Sequence, residues 1–121
     1  MEYRRLGTTD LQVSSIGLGC VTFGREIDRE TAFRILDHAT ERGISLLDTA
    51  AAYAGGASEQ VVGDWMSARG SRNRIVLATK VHGTLSREQV ITSAEDSLKR
   101  LQTDQIDLFQ LHHWSLSLIH I

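Results

Sequence analysis

Four side chains in this sequence could move a proton on and off a small molecule: Asp48, Tyr53, Lys80 and His112. Asp48 ends the apolar run "ISLLDTA", and Tyr53 follows in a loop of Ala and Gly. Lys80 lies at the end of "RIVLATKV", and His112 at the end of "QIDLFQLHH". A phenol with a reference pKa of about 10 is a poor acid at neutral pH, and a neighbouring ammonium favours the phenolate. Lys80 can take that part for Tyr53. A carboxylate beside the lysine keeps it charged and in place, which suits Asp48, and an imidazole such as His112 can hold or polarise a carbonyl oxygen. The set suits protonation of a carbonyl oxygen. The accompanying hydride must come from a cofactor, because no side chain can give one. No nucleophile stands with its base, and no His/Cys cluster has metal-ligand spacing.

Taken singly, each residue has a plainer reading. Asp48 would be a turn or cap residue, Lys80 a strand-end lysine with its stem on apolar surface, Tyr53 an exposed aromatic, and His112 and His113 satisfied polar groups. Joint placement at successive strand ends is what points to a site, so the elements that hold them decide the matter.

Three apolar runs, starting at Ile44, Ile75 and Ile106, are apolar on both parities and bounded by Gly or polar residues, which is how buried parallel strands read. A weaker run, "SSIGLGC", precedes them. Between the runs lie three helical patterns. The first follows Asp28 as N-cap, places Ala32, Ile35, Leu36 and Ala39 on one face, and ends at Gly43. The second runs from Ser58 to Gly70 with Val62, Trp65 and Met66 as core. The third opens with Ser86 and Gln89 in capping-box spacing and is expected to bury Val90, Ala94, Leu98 and Leu101. Alternation of strand and helix demands right-handed crossovers and a parallel sheet.

The three strand starts recur every 31 residues (75 − 44 and 106 − 75). Eight such units make a chain of about 250 residues, the size of a (β/α)8 barrel, and this chain holds about four. A doubly wound sheet is the competing architecture. "GLGCVTFGRE" lacks the spacing of a dinucleotide fingerprint. The expected fold is therefore α/β, the N-terminal half of a (β/α)8 barrel. A β-hairpin in "EYRRLGTTDLQVS", turning near Gly7 to Asp10, precedes it and would plug the barrel floor. In such a barrel the catalytic groups sit at the C-terminal strand ends. Strand parity puts Ile44, Leu46 and Asp48 on one face, likewise Val76, Ala78 and Lys80, and likewise Gln110 and His112.

Composition narrows the class of partner. Thirteen Lys and Arg against 15 Asp and Glu give a net charge of −2, which offers no footprint for nucleic acid or an anionic membrane. No apolar segment reaches membrane-spanning length, the start "MEYRRLGTTD" lacks the core of a secretory signal, and the one cysteine suits a reducing compartment. Cytoplasm is the expected location.

The motifs "GLGCVTFG", "LDTAAAY" with "SEQVVGDWM", "ATKV" and "QIDLFQLHHW", in this order and spacing, resemble the N-terminal half of an aldo-keto reductase over Tyr3 to Trp114. The resemblance implies a barrel that reduces aldehydes and ketones with NADPH, with Tyr53 as general acid and Asp48, Lys80 and His112 completing a tetrad. Counted from the aspartate of "IDLFQLH", the family histidine falls on His112, leaving His113 to line the substrate pocket. It further implies that Gly19, Cys20 and Val21, with Asp48, approach the nicotinamide. Cys20 stands where many members have threonine, and as a cysteine it reads as a small buried residue. The family also contains barrels that act as regulatory or binding subunits sensing bound NADP(H), the alternative function.

The last six residues, "LSLIHI", resemble the in-frame translation of a transposon adapter used in sequencing libraries. Residues 1–114 are accordingly expected to be barrel and 115–121 a non-native tail. Half a barrel would leave unpaired edges at its first and fourth strands, so the chain is expected to self-associate and to have little activity of its own.

Overall fold

The computed structural model describes residues 1–114; the expected tail, 115–121, lies outside the described residues. The chain opens with an antiparallel hairpin, β1 (Tyr3–Arg5) and β2 (Gln12–Ser14), in which Tyr3 pairs with Ser14. It then alternates strand and helix: β3 (Gly17–Gly19), α1 (Arg29–Glu41), β4 (Leu46–Asp48), α2 (Ala57–Arg69), β5 (Val76–Val81), α3 (Arg87–Leu101) and β6 (Leu108–Leu111). β3 to β6 form one parallel sheet in chain order.

Each expected strand starts one or two residues later than its leading isoleucine. Ile44 is spent on closing α1, donating its N–H to the Ala39 carbonyl, and the Ser45 N–H is taken by the Ser14 hydroxyl at 2.9 Å. The 31-residue interval becomes 30 in the register, since Leu46 pairs with Val76 and Ala78 with Leu108 (76 − 46 and 108 − 78). The hairpin sits at the N-terminal end of the sheet. Tyr3 donates its hydroxyl to the Gly43 carbonyl at 2.8 Å, and Ser14 Oγ also accepts from Leu46 N.

The helices form where their caps and faces require. Asp28 accepts from Thr31 N at 2.8 Å to start α1, and Gly43, at φ +90°, lets the chain leave it. Ala32, Leu36 and Ala39 are buried along its inner face, with Ile35 half-buried. In α2, Val61, Val62, Trp65 and Met66 pack with Leu36, Leu47, Leu77 and Leu101 into the core between helices and sheet.

α3 differs from the expected pattern. Ser86 caps it by accepting from Gln89 N, but the Gln89 side chain donates to the His82 carbonyl rather than back to Ser86, so the capping box is half-formed. The buried stripe is Ser93, Ser97 and Leu101, while Val90, Ala94 and Leu98 are only half-buried. Ser93 is held inward by accepting from His82 N, and Ser97 Oγ lies 3.5 Å from the Arg100 guanidinium. The end of α3 packs tightly on α2, where a Cβ on Gly63 would lie 2.5 Å from the Arg100 carbonyl.

Strand alternation gives the sheet two faces. Leu47, Thr49, Leu77 and Thr79, all fully buried, point to the helices. The opposite face holds Gly17, Gly19, Leu46, Asp48, Ala78, Leu108 and Gln110 around a shallow cavity.

Candidate active site

β4 and β5 end side by side, and their last inward-facing residues are Asp48 and Lys80. Lys80 Nζ donates to Asp48 Oδ1 at 2.9 Å, to the Thr49 carbonyl at 2.9 Å and to Tyr53 OH at 3.1 Å. An ammonium has three donors, so all three are engaged. The lysine side chain is 14% exposed. Burial pushes its pKa down, but the hydrogen bonds to Asp48 and Tyr53 outweigh that and hold it above the ordinary lysine value of 10.5. It stays an ammonium at neutral pH.

Tyr53 reaches this lysine from a short 3-10 turn, Tyr53–Gly56, that leads into α2. The turn runs through left-handed backbone at Ala54, Gly55 and Gly56; the two glycines take it freely, while Ala54, at φ 51°, bears the Cβ penalty. Because its oxygen accepts from Lys80, the phenolic hydrogen is free to point elsewhere. The Lys80 ammonium lies 4.7 Å from the centre of the same ring.

His112 follows β6 and stands edge-on to Tyr53, ring centroids 5.6 Å apart at 87°. Its Nδ1 is buried with no hydrogen-bond partner among the described residues. Desolvation first, and the Lys80 charge second, press its pKa below the ordinary 6.5, so the ring is neutral at pH 7. The four residues singled out from the sequence thus converge on one rim. His113 stacks on His112 at 5.2 Å and is exposed at the edge of the cluster.

The β3 end borders the cluster, since Gly19 pairs with Asp48 and Cys20 N donates to the Asp48 carbonyl at 2.9 Å. A Cβ on Gly19 would meet nothing within 4 Å, so the surface there is open, and Val21 is exposed beside it. The Cys20 side chain turns the other way into the core. Burial, then the Asp48 charge, pushes its thiol up to about 12, which keeps it protonated and unreactive. Any contact Cys20 makes at the rim is through its backbone.

Two features were given no role from the sequence, although strand parity places Gln110 on the face of His112. Gln110, directly opposite Lys80 in the β5–β6 register, donates from Nε2 to Asp48 Oδ1 at 3.1 Å. A polar residue on the inward parity of an otherwise apolar strand, two places before His112, was the available signal. Behind the sheet, Ser58 and Glu59 are fully buried polar residues bonded to Thr49 and Thr79. An acid within the first turn of an apolar helix was the signal there. Among the described residues there is no group of three or more metal-ligating side chains, and no helix is long and apolar enough to cross a membrane.

A parallel sheet carrying Asp48, Tyr53, Lys80 and His112 at its C-terminal rim invites comparison with known proteins. The sequence model of the aldo/keto reductase family matches residues 15–118. The uncharacterized oxidoreductase YrpG of Bacillus subtilis is 42% identical over 131 residues, covering 93% of this chain and 40% of the relative. The aldo-keto reductase YhdN of the same organism is 37% identical, covering 100% of this chain and 40% of the relative. A Bacillus halodurans aldo-keto reductase, solved in its holo form, superposes with a TM-score of 0.84 at 43% identity, over 97% of this chain and 42% of the other. The chain therefore spans about 40% of the length of the relatives it matches, and its four-stranded sheet is part of a (β/α)8 barrel. On the family match and these likenesses together, the chain belongs to the aldo/keto reductase family.

Proposed function

We propose that this segment supplies the proton-transfer corner of an NADPH-dependent oxidoreductase that reduces an aldehyde or ketone to the alcohol. Tyr53 is the general acid in this reading, and Asp48, Lys80 and His112 are its supports. One observation carries it: Lys80 Nζ joins Asp48 Oδ1, the Thr49 carbonyl and Tyr53 OH within 2.9 to 3.1 Å.

The chemistry follows from which hydrogens are free. With its oxygen accepting from an ammonium, Tyr53 can donate only outward, to a carbonyl oxygen placed against the rim. As that proton leaves, the bond from Lys80 becomes charge-assisted on both sides and strengthens, so it stabilises the reacting state more than the resting one. Asp48 neutralises the lysine and fixes its direction. His112, held neutral, lends an N–H to the same carbonyl oxygen without competing as the acid. His113, at the edge, is placed to line the substrate side.

The residues present fit a nicotinamide cofactor. Gly19 offers open surface beside Asp48, Val21 offers an exposed apolar side chain, and the Cys20 backbone joins them. When bound, the cofactor supplies the hydride to the carbonyl carbon, while Tyr53 supplies the proton to oxygen and regains one from solvent.

The test uses the segment fused to the C-terminal part of the Bacillus halodurans relative, which restores family length. Tyr53→Phe in that fusion should lower turnover at least about 100-fold while NADPH binding, read by fluorescence, is retained. Unchanged turnover would remove Tyr53 from the role of acid.

A further inference from the structure

We infer that Ser58 and Glu59, on the first turn of α2, are positioning residues that hold the Tyr53 loop in register with Lys80 from behind the sheet; the inference rests on the reading of Tyr53 and Lys80 given above. The loop itself has little to hold it. Between Ala50 and Ala57 it contains only Ala and Gly besides Tyr53, and it passes through three left-handed residues in succession. Its near end is the β4 strand. Its far end is the start of α2, where Gly56 provides no side-chain cap.

Ser58 and Glu59 anchor that far end. Ser58 donates its hydroxyl to the Cys20 carbonyl at 2.6 Å. A serine has one hydroxyl hydrogen, so in its 2.8 Å bond with Thr49 Oγ1 the threonine must be the donor. Glu59 accepts from Thr79 Oγ1 at 2.6 Å on one carboxylate oxygen and from Arg100 Nε at 2.6 Å on the other. Its side chain is fully buried, and its charge is balanced by Arg100, which is 27% exposed.

The register makes these bonds relevant to the site. Thr49 follows Asp48, and Thr79 precedes Lys80, so each threonine points back from the strand position next to a residue of the rim. Cys20 N donates to the Asp48 carbonyl, which ties the third anchor to the same place. Ser58 and Glu59 therefore grip the reverse of the two strand ends whose front carries Asp48 and Lys80. The loop that presents Tyr53 to Lys80 is clamped between them. A carboxylate suits Glu59 because Arg100 can only donate and carries a charge. A glutamine could give its NH2 to the Thr79 hydroxyl and its oxygen to Arg100, but it would leave the partly buried guanidinium without its counter-charge.

Two readouts test this. The chain has only two lysines, Lys80 and Lys99, so the ratio of their reductive-methylation rates, read by mass spectrometry, reports on Lys80 with an internal control. Ser58→Ala, which deletes the bonds to the Cys20 carbonyl and to Thr49, and Thr79→Val, which deletes the bond to Glu59, each nearly keep side-chain size and should raise the Lys80:Lys99 ratio several-fold at unchanged helix content. In the fusion barrel the same variants should lower kcat about tenfold with KM and NADPH affinity within about twofold, because misplacement of a positioned group appears in the chemical step. Glu59→Gln should have the larger effect, and if it does not fold the other two variants decide. A reactivity ratio and kcat both unchanged in folded Ser58→Ala and Thr79→Val would overturn the inference. If Tyr53→Phe leaves turnover intact but the lysine ratio still rises, the clamp stands and the assignment of Tyr53 as acid falls.

Discussion

Gln110 and Asp48 lie on β6 and β4, which are not neighbours, yet Gln110 Nε2 reaches Asp48 Oδ1 at 3.1 Å across β5. The oxygen that receives it is the one that receives Lys80. Two donors on one carboxylate oxygen fix both the torsion of Asp48 and the point toward which the ammonium is drawn. A hydrogen bond to a charged acceptor is worth about 1.5 to 3 kcal/mol, and about 1.4 kcal/mol is tenfold in rate. Gln110→Leu in the fusion barrel should therefore lower kcat roughly three- to tenfold, the full bond energy not being felt at the phenol. Steady-state kinetics decide it, and a kcat equal to that of the parent would show that Lys80 alone suffices to place Asp48.

The depressed His112 pKa has a definite direction with pH. Because the folded state resists protonating this ring, the unfolded chain takes up the proton first as pH falls below 6.5, so the stabilising contribution is present above that value and is lost toward the folded-state pKa. The His112 midpoint followed by NMR should lie below 6.5. Lys80→Met removes the second-largest cause and should raise it. A midpoint that does not move in this variant would leave the depression to desolvation and the neighbouring His113 and His82.

Much of the site was legible because its residues end strands. Asp48, Lys80 and His112 each close an apolar run, and period-2 alternation then fixes the face they share without any knowledge of packing. Tyr53 needed the Ala/Gly loop around it as a clue. The strand starts were misplaced for a local reason: Ile44 and Ser45 are apolar or β-compatible, but they are spent on closing α1 and on the Ser14 hydroxyl. The α3 stripe was misread for a tertiary one. Helical periodicity selects Val90, Ala94 and Leu98, while the buried residues are Ser93, which accepts from His82 N, and Ser97, beside the Arg100 guanidinium, and nothing local announces those contacts. Gln110, Ser58 and Glu59 act through partners tens of residues away, and a single sequence does not display such pairings.

The contact at Gly63 gives a stability prediction. A methyl there would lie 2.5 Å from the Arg100 carbonyl oxygen and 2.8 Å from the Leu101 carbonyl carbon, both backbone atoms that cannot step aside. Gly63→Ala must separate α2 from α3, opening the packing around Leu101, which is fully buried. Helix propensity favours alanine by about 1 kcal/mol, and overpacking a tight contact costs about 1 to 3 kcal/mol, so net destabilisation is expected. Urea unfolding measures the balance. A more stable Gly63→Ala variant would mean that the helices separate at little cost.

The sheet edges govern how the chain behaves on its own. Among the described residues β3 pairs only with β4, and β6 only with β5, so each has one edge without a strand partner among them. Near them Leu111 and Trp114 are 50% and 69% exposed, and the face that lines a barrel interior in the family holds Leu46, Ala78 and Leu108. Open edges beside apolar surface are templates for strand pairing, and a barrel removes them by closure. The isolated chain should therefore associate at micromolar concentration and show little NADPH turnover. Fusion to the C-terminal part of the relative should suppress association and restore turnover together, because both depend on closing the same edges. Sedimentation velocity alongside an NADPH-oxidation assay separates the outcomes: a monodisperse, active monomer of the isolated chain would contradict the argument, and an associated but fully active one would confine it to solubility.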